Sequence, residues 1–201
     1  MQLILDIAPA VEPDFDNYVA GPNAEALKRV RDLASNSLKE AVLYLWGEPG
    51  SGRTHLLQSA GKVSPDLVIA DDVDKLDEPA QQRLFAAINA AREGAPAVLA
   101  AGSQPPAQLA LREDLRTRLA WGLVYQLKPL SDADKALHLR AEARRRGLRL
   151  SDEVVGYLLT RLPRDLPSLN SVLDALDRYS LAAKRPVTLP LIREALERKS
   201  R

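Results

Sequence analysis

An almost unbroken apolar run, Ala41-Val42-Leu43-Tyr44-Leu45-Trp46, stops at Gly47-Glu48-Pro49-Gly50-Ser51-Gly52-Arg53-Thr54, and helical periodicity begins directly behind it. A short run that is apolar at every position predicts a strand covered on both faces. The turn that follows has the spacing G-x-x-x-x-G-K-[ST] of a phosphate-binding loop, with Arg53 in place of lysine. Glycines allow successive backbone N–H groups to converge on an anion, and the next helix adds its positive end. Gly47, Pro49, Gly50, Ser51, Gly52, Arg53, Thr54 and His55 are therefore candidate nucleotide contacts, with the Thr54 hydroxyl on Mg²⁺. Arginine keeps the charge, but its planar fork does not reach the β- and γ-phosphates as an ammonium does. Binding without fast hydrolysis is the expectation. Taken alone, the same turn also fits an ordinary Gly/Pro-rich strand-to-helix connection.

Leu67-Val68-Ile69-Ala70-Asp71-Asp72 supplies the acidic partner such a loop needs. In that setting Asp71 holds Mg²⁺ through water and Asp72 orients an attacking water. In isolation it reads equally as a strand entering an acidic turn with Asp74. Further apolar runs at Ala97–Ala101 and Leu123–Leu127 alternate with helical patterns at Thr54–Ala60, Glu78–Arg92 and Gln108–Leu119. Alternation of this kind predicts a parallel sheet with helices on both faces. An earlier helix carries Ala26, Leu27, Val30 and Leu33 on one side, with Asn23 as its expected N-cap.

After Pro129 the strand-like runs cease. Four amphipathic helices are predicted at about 131–146, 151–162, 165–183 and 188–199, capped by Ser131, Ser151, Asp165 and Thr188, with Gly147 as a stop. The predicted fold is thus α/β, a P-loop core followed by a small helical lid. Its segments are an N-terminal arm (1–22), the core (23–130) and the lid (131–201).

Cysteine is absent and there are two histidines, which excludes disulfides, thiol chemistry and thiolate metal sites. Chemistry must rest on carboxylates, arginines and backbone amides. The net charge of +1 provides no global attraction for nucleic acid, and Arg144-Arg145-Arg146 reads as a solvated helix face. No apolar run is long enough to span a bilayer and no basic-then-apolar leader opens the chain, so a cytoplasmic protein is expected.

Further segments carry a family resemblance. Phe15-Asp16-Asn17-Tyr18-Val19-Ala20-Gly21 resembles the opening of the AAA+ core of DnaA-type initiators, which packs around the nucleotide base, implicating Tyr18 and Val19. Arg116-Thr117-Arg118-Leu119-Ala120-Trp121-Gly122-Leu123 resembles their S-R-F-x-W-G-L element, and at Arg118 the resemblance implies an arginine finger that reaches a neighbour's nucleotide. Read alone, Arg118 is a solvated arginine at a helix end. Tyr44-Leu45-Trp46, Arg53-Thr54-His55-Leu56-Leu57, Gly102-Ser103-Gln104-Pro105-Pro106 and Leu130-Ser131-Asp132-Ala133-Asp134-Lys135 are similar to the Hda-type branch, DnaA paralogues that inactivate DnaA. Gln2-Leu3-Ile4-Leu5-Asp6-Ile7 is similar to the peptide with which that branch docks on the β sliding clamp of DNA polymerase III, through Gln2, Leu3, Leu5 and Ile7. The residues alone also allow a strand added to the chain's own sheet.

The chain departs from the pattern in three places. Only about ten residues, from His55 to Pro65, separate the phosphate loop from the Asp71–Asp72 strand, which predicts about four strands with one edge strand missing. Ser103 stands where relatives carry an acidic first sensor. Pro167 stands where a second-sensor arginine is expected, with Arg164 one turn earlier as a substitute. With Arg53, the proline at the second sensor favours ADP, or even an empty site, over an ATP-turnover cycle, with ATP as the other candidate ligand.

The resemblance therefore implies a regulator of replication initiation. Held by the DNA-loaded clamp, it would promote ATP hydrolysis by DnaA through Arg118 in trans, with weak or no ATPase of its own. It would form a homodimer and meet DNA only through the clamp, since the DNA-binding domain that follows the lid in initiators is missing from the sequence. The competing readings are a free-standing AAA+ ATPase or loader subunit, and a DnaA-like adaptor with a silent nucleotide site.

Overall fold

A computed structural model describes residues 12–161, 166–183, 188–190 and 192. The chain divides into two compact units with the break between Pro129 and Leu130.

The first unit is built on four strands, β1 (Val42–Trp46), β2 (Val68–Ala70), β3 (Val98–Gly102) and β4 (Leu123–Gln126), in the order β2-β3-β1-β4. Every pairing is parallel, with Leu43 opposite Leu99 on one side and Leu123 on the other. Successive strand residues point to opposite faces, so an all-apolar strand feeds two cores at once. Leu43, Leu45, Leu99 and Ala101 pack with Val30, Leu33, Leu56 and Leu57 of α1 (Ala24–Ala34) and α2 (Arg53–Val63). Val42, Tyr44, Val98 and Ala100 face the other way, onto Leu84 and Ile88 of α3 (Glu78–Arg92) and Leu115 and Leu119 of α4 (Glu113–Leu119).

β2 pairs with β3 alone, which is the expected consequence of the short His55–Pro65 interval. At this edge Ile69 is left 38% exposed.

Two local expectations are corrected. The helix expected over 108–119 is a single 3-10 turn at Pro106–Gln108 followed by α4 from Glu113. Asn23 stands at the N-cap position of α1 but makes no side-chain cap. Its amide instead clasps the backbone of Lys128 beyond β4, donating to the carbonyl at 2.8 Å and accepting from the N–H at 2.9 Å. Two bonds at a buried amide outweigh one cap at a helix end that water can reach. From Pro13 onward the segment expected as an arm belongs to this unit. Phe15 enters the α1–α2 core, and Arg31 lies over its ring and donates to its carbonyl at 2.9 Å.

The second unit contains α5 (Asp132–Arg145), α6 (Asp152–Arg161) and α7 (Leu166–Ala183) around its own core of Leu139, Leu148, Val155, Leu158, Leu169, Leu173 and Leu176. Ser131 and Asp134 form a reciprocal capping box at the start of α5. Arg146 ties Glu142 to Asp174 of α7 at 2.6 and 2.8 Å. Asp165 and most of the helix expected at 188–199 lie outside the described residues. No helix among the described residues is long and apolar enough to cross a membrane.

Candidate functional site

β1 delivers the chain to the loop Gly47–Gly52, and α2 leaves from it. Gly50 and Gly52 have φ of +81° and +94°, in the left-handed region that turns consecutive N–H groups toward a common centre. At Gly52 the conformation is reinforced by contact, because a Cβ there would lie 2.8 Å from the Tyr18 ring. Tyr18 also stands edge-on to His55, ring centroids 5.3 Å apart, and burial pushes its phenol up to about 12. His55 in turn meets the Asp14 carbonyl at 2.9 Å. The opening segment and the phosphate loop are thus one assembly, with Val19 half-buried beside Tyr18. Pro49 and Gly50 are exposed at the tip.

Two buried polar atoms of the loop, the Ser51 hydroxyl and one Arg53 Nη, have no hydrogen-bond partner among the described residues. Buried groups left without a partner are costly, and a bound oxyanion would satisfy both. The Thr54 hydroxyl donates to Asp71 at 2.6 Å, so the two groups that would organise Mg²⁺ are adjacent. The residues fit a Mg-nucleotide: backbone and Arg53 for the phosphates, Thr54 and Asp71 for the ion.

Asp72 is placed differently from an available base. Its backbone is left-handed, φ +46°, and its carboxylate lies 2.7 Å from Lys75 Nζ and 3.8 Å from Arg53. The Lys75 hydrogen bond, with both nearby charges, holds the Asp72 carboxyl below the usual aspartate range. A carboxylate engaged by two cations is a poor acceptor for a water proton. Any stabilisation from this depressed acid is present above the ordinary aspartate range and is lost as pH falls through its lowered value. Lys75→Ala is therefore expected to move the Asp72 titration upward in a carbon-13 NMR pH series. An unchanged midpoint would mean that Lys75 does not hold it.

Ser103, at the end of β3, is exposed, and its backbone N–H donates to Asp74 at 2.9 Å. Tyr44, fully buried and with its phenol raised by burial, donates to the neighbouring Gln104 carbonyl at 2.8 Å. Lys75 and Asp74 are the members that sequence reasoning did not assign to the site. The i,i+3 spacing of Asp72 and Lys75 was a visible signal. Arg164 and Gln2, Leu3, Leu5 and Ile7 lie outside the described residues.

Arg118 lies elsewhere on this unit. Its Nε donates to Asn89 at 2.7 Å, and its guanidinium carbon lies 3.7 Å from the Trp121 ring centroid and 5.1 Å from that of Phe85. None of these partners belongs to the phosphate loop.

The Hda lid-domain family model matches residues 132–196. Among solved structures, domain III of the Thermotoga maritima replication initiation protein DnaA is similar, at TM-score 0.72 and 21% identity over 92% of this chain and 96% of that one. AMPPCP-bound DnaA from Aquifex aeolicus is similar at TM-score 0.69 and 20% identity, over 82% and 65%. The Thermotoga maritima RuvB Holliday junction branch migration motor follows at 0.63 and 13%, over 92% and 71%. The chain thus has the fold of the DnaA AAA+ domain, and its residues 132–196 belong to the Hda lid-domain family.

Proposed function

We propose that this protein is a negative regulator of replication initiation that promotes ATP hydrolysis by DnaA, supplying Arg118 to the DnaA nucleotide in trans. The observation that carries this reading is the setting of Arg118. Its Nε edge is taken by Asn89 and its plane is stacked on Trp121, while its Nη nitrogens have no hydrogen bond among the described residues. A guanidinium fixed in this way presents its free edge as a bidentate fork for phosphate oxygens. In phosphoryl transfer that charge offsets the one developing on the γ-phosphate.

The chain's own nucleotide site is a ligand-holding module. Arg53, Thr54 and Asp71 suit Mg-ADP, and Asp72 between Lys75 and Arg53 suits slow or absent turnover. ATP is the alternative ligand. Asp72 accordingly acts as an ion-pair partner in place of the base role its position implies. The proposal includes docking on the β sliding clamp through Gln2, Leu3, Leu5 and Ile7, a cytoplasmic location without membrane attachment, a homodimeric state and contact with DNA through the clamp alone. Arg164 is retained as the candidate lid contact to phosphate.

The test is ATP hydrolysis by DnaA in the presence of DNA-loaded clamp. Adding this protein is expected to accelerate hydrolysis, and removing residues 1–7 to abolish the acceleration. Equal hydrolysis with and without the protein would overturn the reading. Sustained turnover by the protein alone would favour a free-standing ATPase.

A further inference from the structure

Phe85, Asn89 and Arg92 recur at helical spacing along one face of α3, and Arg118 stands in the last turn of α4 with Trp121 three residues on, in the turn just beyond the helix. The backbone beside the tryptophan packs closely, since a Cβ on Gly122 would collide with the Val42 carbonyl. The ring itself is 43% exposed. Arg118 covers it at 3.7 Å, and the Arg92 guanidinium carbon also lies over it, at 4.2 Å from the centroid. Two guanidiniums at van der Waals distance from one ring require its two faces, so the arrangement is a three-layer stack. Arg92 is exposed and forms no ion pair among the described residues.

A half-exposed indole with one covered face has room to rotate about its side-chain bonds, and when it does the stacking restraint on Arg118 is lost and only the Asn89 bond remains. A cation on the second face closes that rotation, because the ring quadrupole attracts charge from both sides.

We propose that Arg92 is a positioning residue for Arg118, clamping Trp121 from behind so that the Arg118 fork keeps a single orientation. This rests on the reading of Arg118 as the finger. Arg92 does not touch the nucleotide; it acts through the ring. The spread of Arg118 orientations, and with it the rate of the step that needs one of them, is what its loss alters.

Two measurements on Arg92→Ala test the proposal. The Arg118 Nε–H proton, assigned by its disappearance in Arg118→Lys, is expected to move toward the free-arginine position in nitrogen-15 NMR spectra and to exchange faster. The maximal rate of stimulated DnaA hydrolysis is expected to fall about three- to tenfold with the half-saturating concentration of this protein unchanged, and Arg92→Lys to recover part of the loss. An unmoved Nε–H resonance overturns the proposal even if stimulation falls. A moved resonance with full stimulation also overturns it, provided Arg118→Ala abolishes stimulation. If Arg118→Ala leaves stimulation intact, the finger reading itself fails and Arg92 loses its role with it.

Discussion

Arg118→Ala is expected to reduce the stimulation of DnaA hydrolysis by about 10³-fold or more, the scale on which trans arginines act in phosphoryl transfer. The substitution removes a fork that is already oriented, so the loss falls on the maximal rate and leaves complex formation largely intact. The fold should tolerate it. Arg118 is half-buried, and its bond to Asn89 and its stacking on Phe85 and Trp121 are lateral to the core that Leu115 and Leu119 build from the same helix. Arg118→Lys is expected to recover little, because an ammonium neither stacks flat on the indole nor offers two parallel donors. Single-turnover hydrolysis by DnaA, with binding measured in parallel, separates the two effects. A rate within twofold of wild type at equal binding would remove Arg118 from the chemistry.

Leu43→Ala is expected to destabilise the protein by about 2–5 kcal/mol. Leu43 is fully buried on β1, a strand paired on both sides, and is flanked by Leu99 and Leu123 on its neighbours. Neighbours held on two sides by backbone ladders cannot collapse into the space left behind, which places the cost toward the upper end of that range. For a chain of this size each kcal/mol lowers the midpoint by about 2–4 °C, so a fall of roughly 4–20 °C should appear in thermal unfolding followed by circular dichroism. Leu137, 65% exposed on α5, is the control, and its replacement by alanine should change stability by no more than about 0.5 kcal/mol. Similar midpoints for the two variants would mean that the β1 face is not the packed layer described.

Periodicity and turn chemistry carried much of the architecture into the sequence. Residues 42–46 alternate between two cores because strand side chains alternate, and their all-apolar character already required cover on both faces. The glycine spacing of 47–52 specified a left-handed loop, which appears at Gly50 and Gly52. Ser131 and Asp134 cap α5 through a pattern contained within four residues. Each of these signals is local, acting over a few residues along one chain segment.

The site's electrostatics were not legible in the same way. That Asp72 would be engaged by Arg53 depends on how far β2 carries its last residues past the loop, a distance decided by the register of β2 on β3. That Asn23 would leave its helix to clasp Lys128, 105 residues later, depends on where β4 ends. The stack of Arg92 and Arg118 on Trp121 depends on α3 and α4 packing side by side. Local sequence therefore determined the elements, their buried faces and the phosphate loop. Tertiary structure decided which charges meet across elements, as Arg53 meets Asp72, because such pairings form between segments that only the crossover connections of a parallel sheet bring together, whereas the Asp72–Lys75 pair was already local.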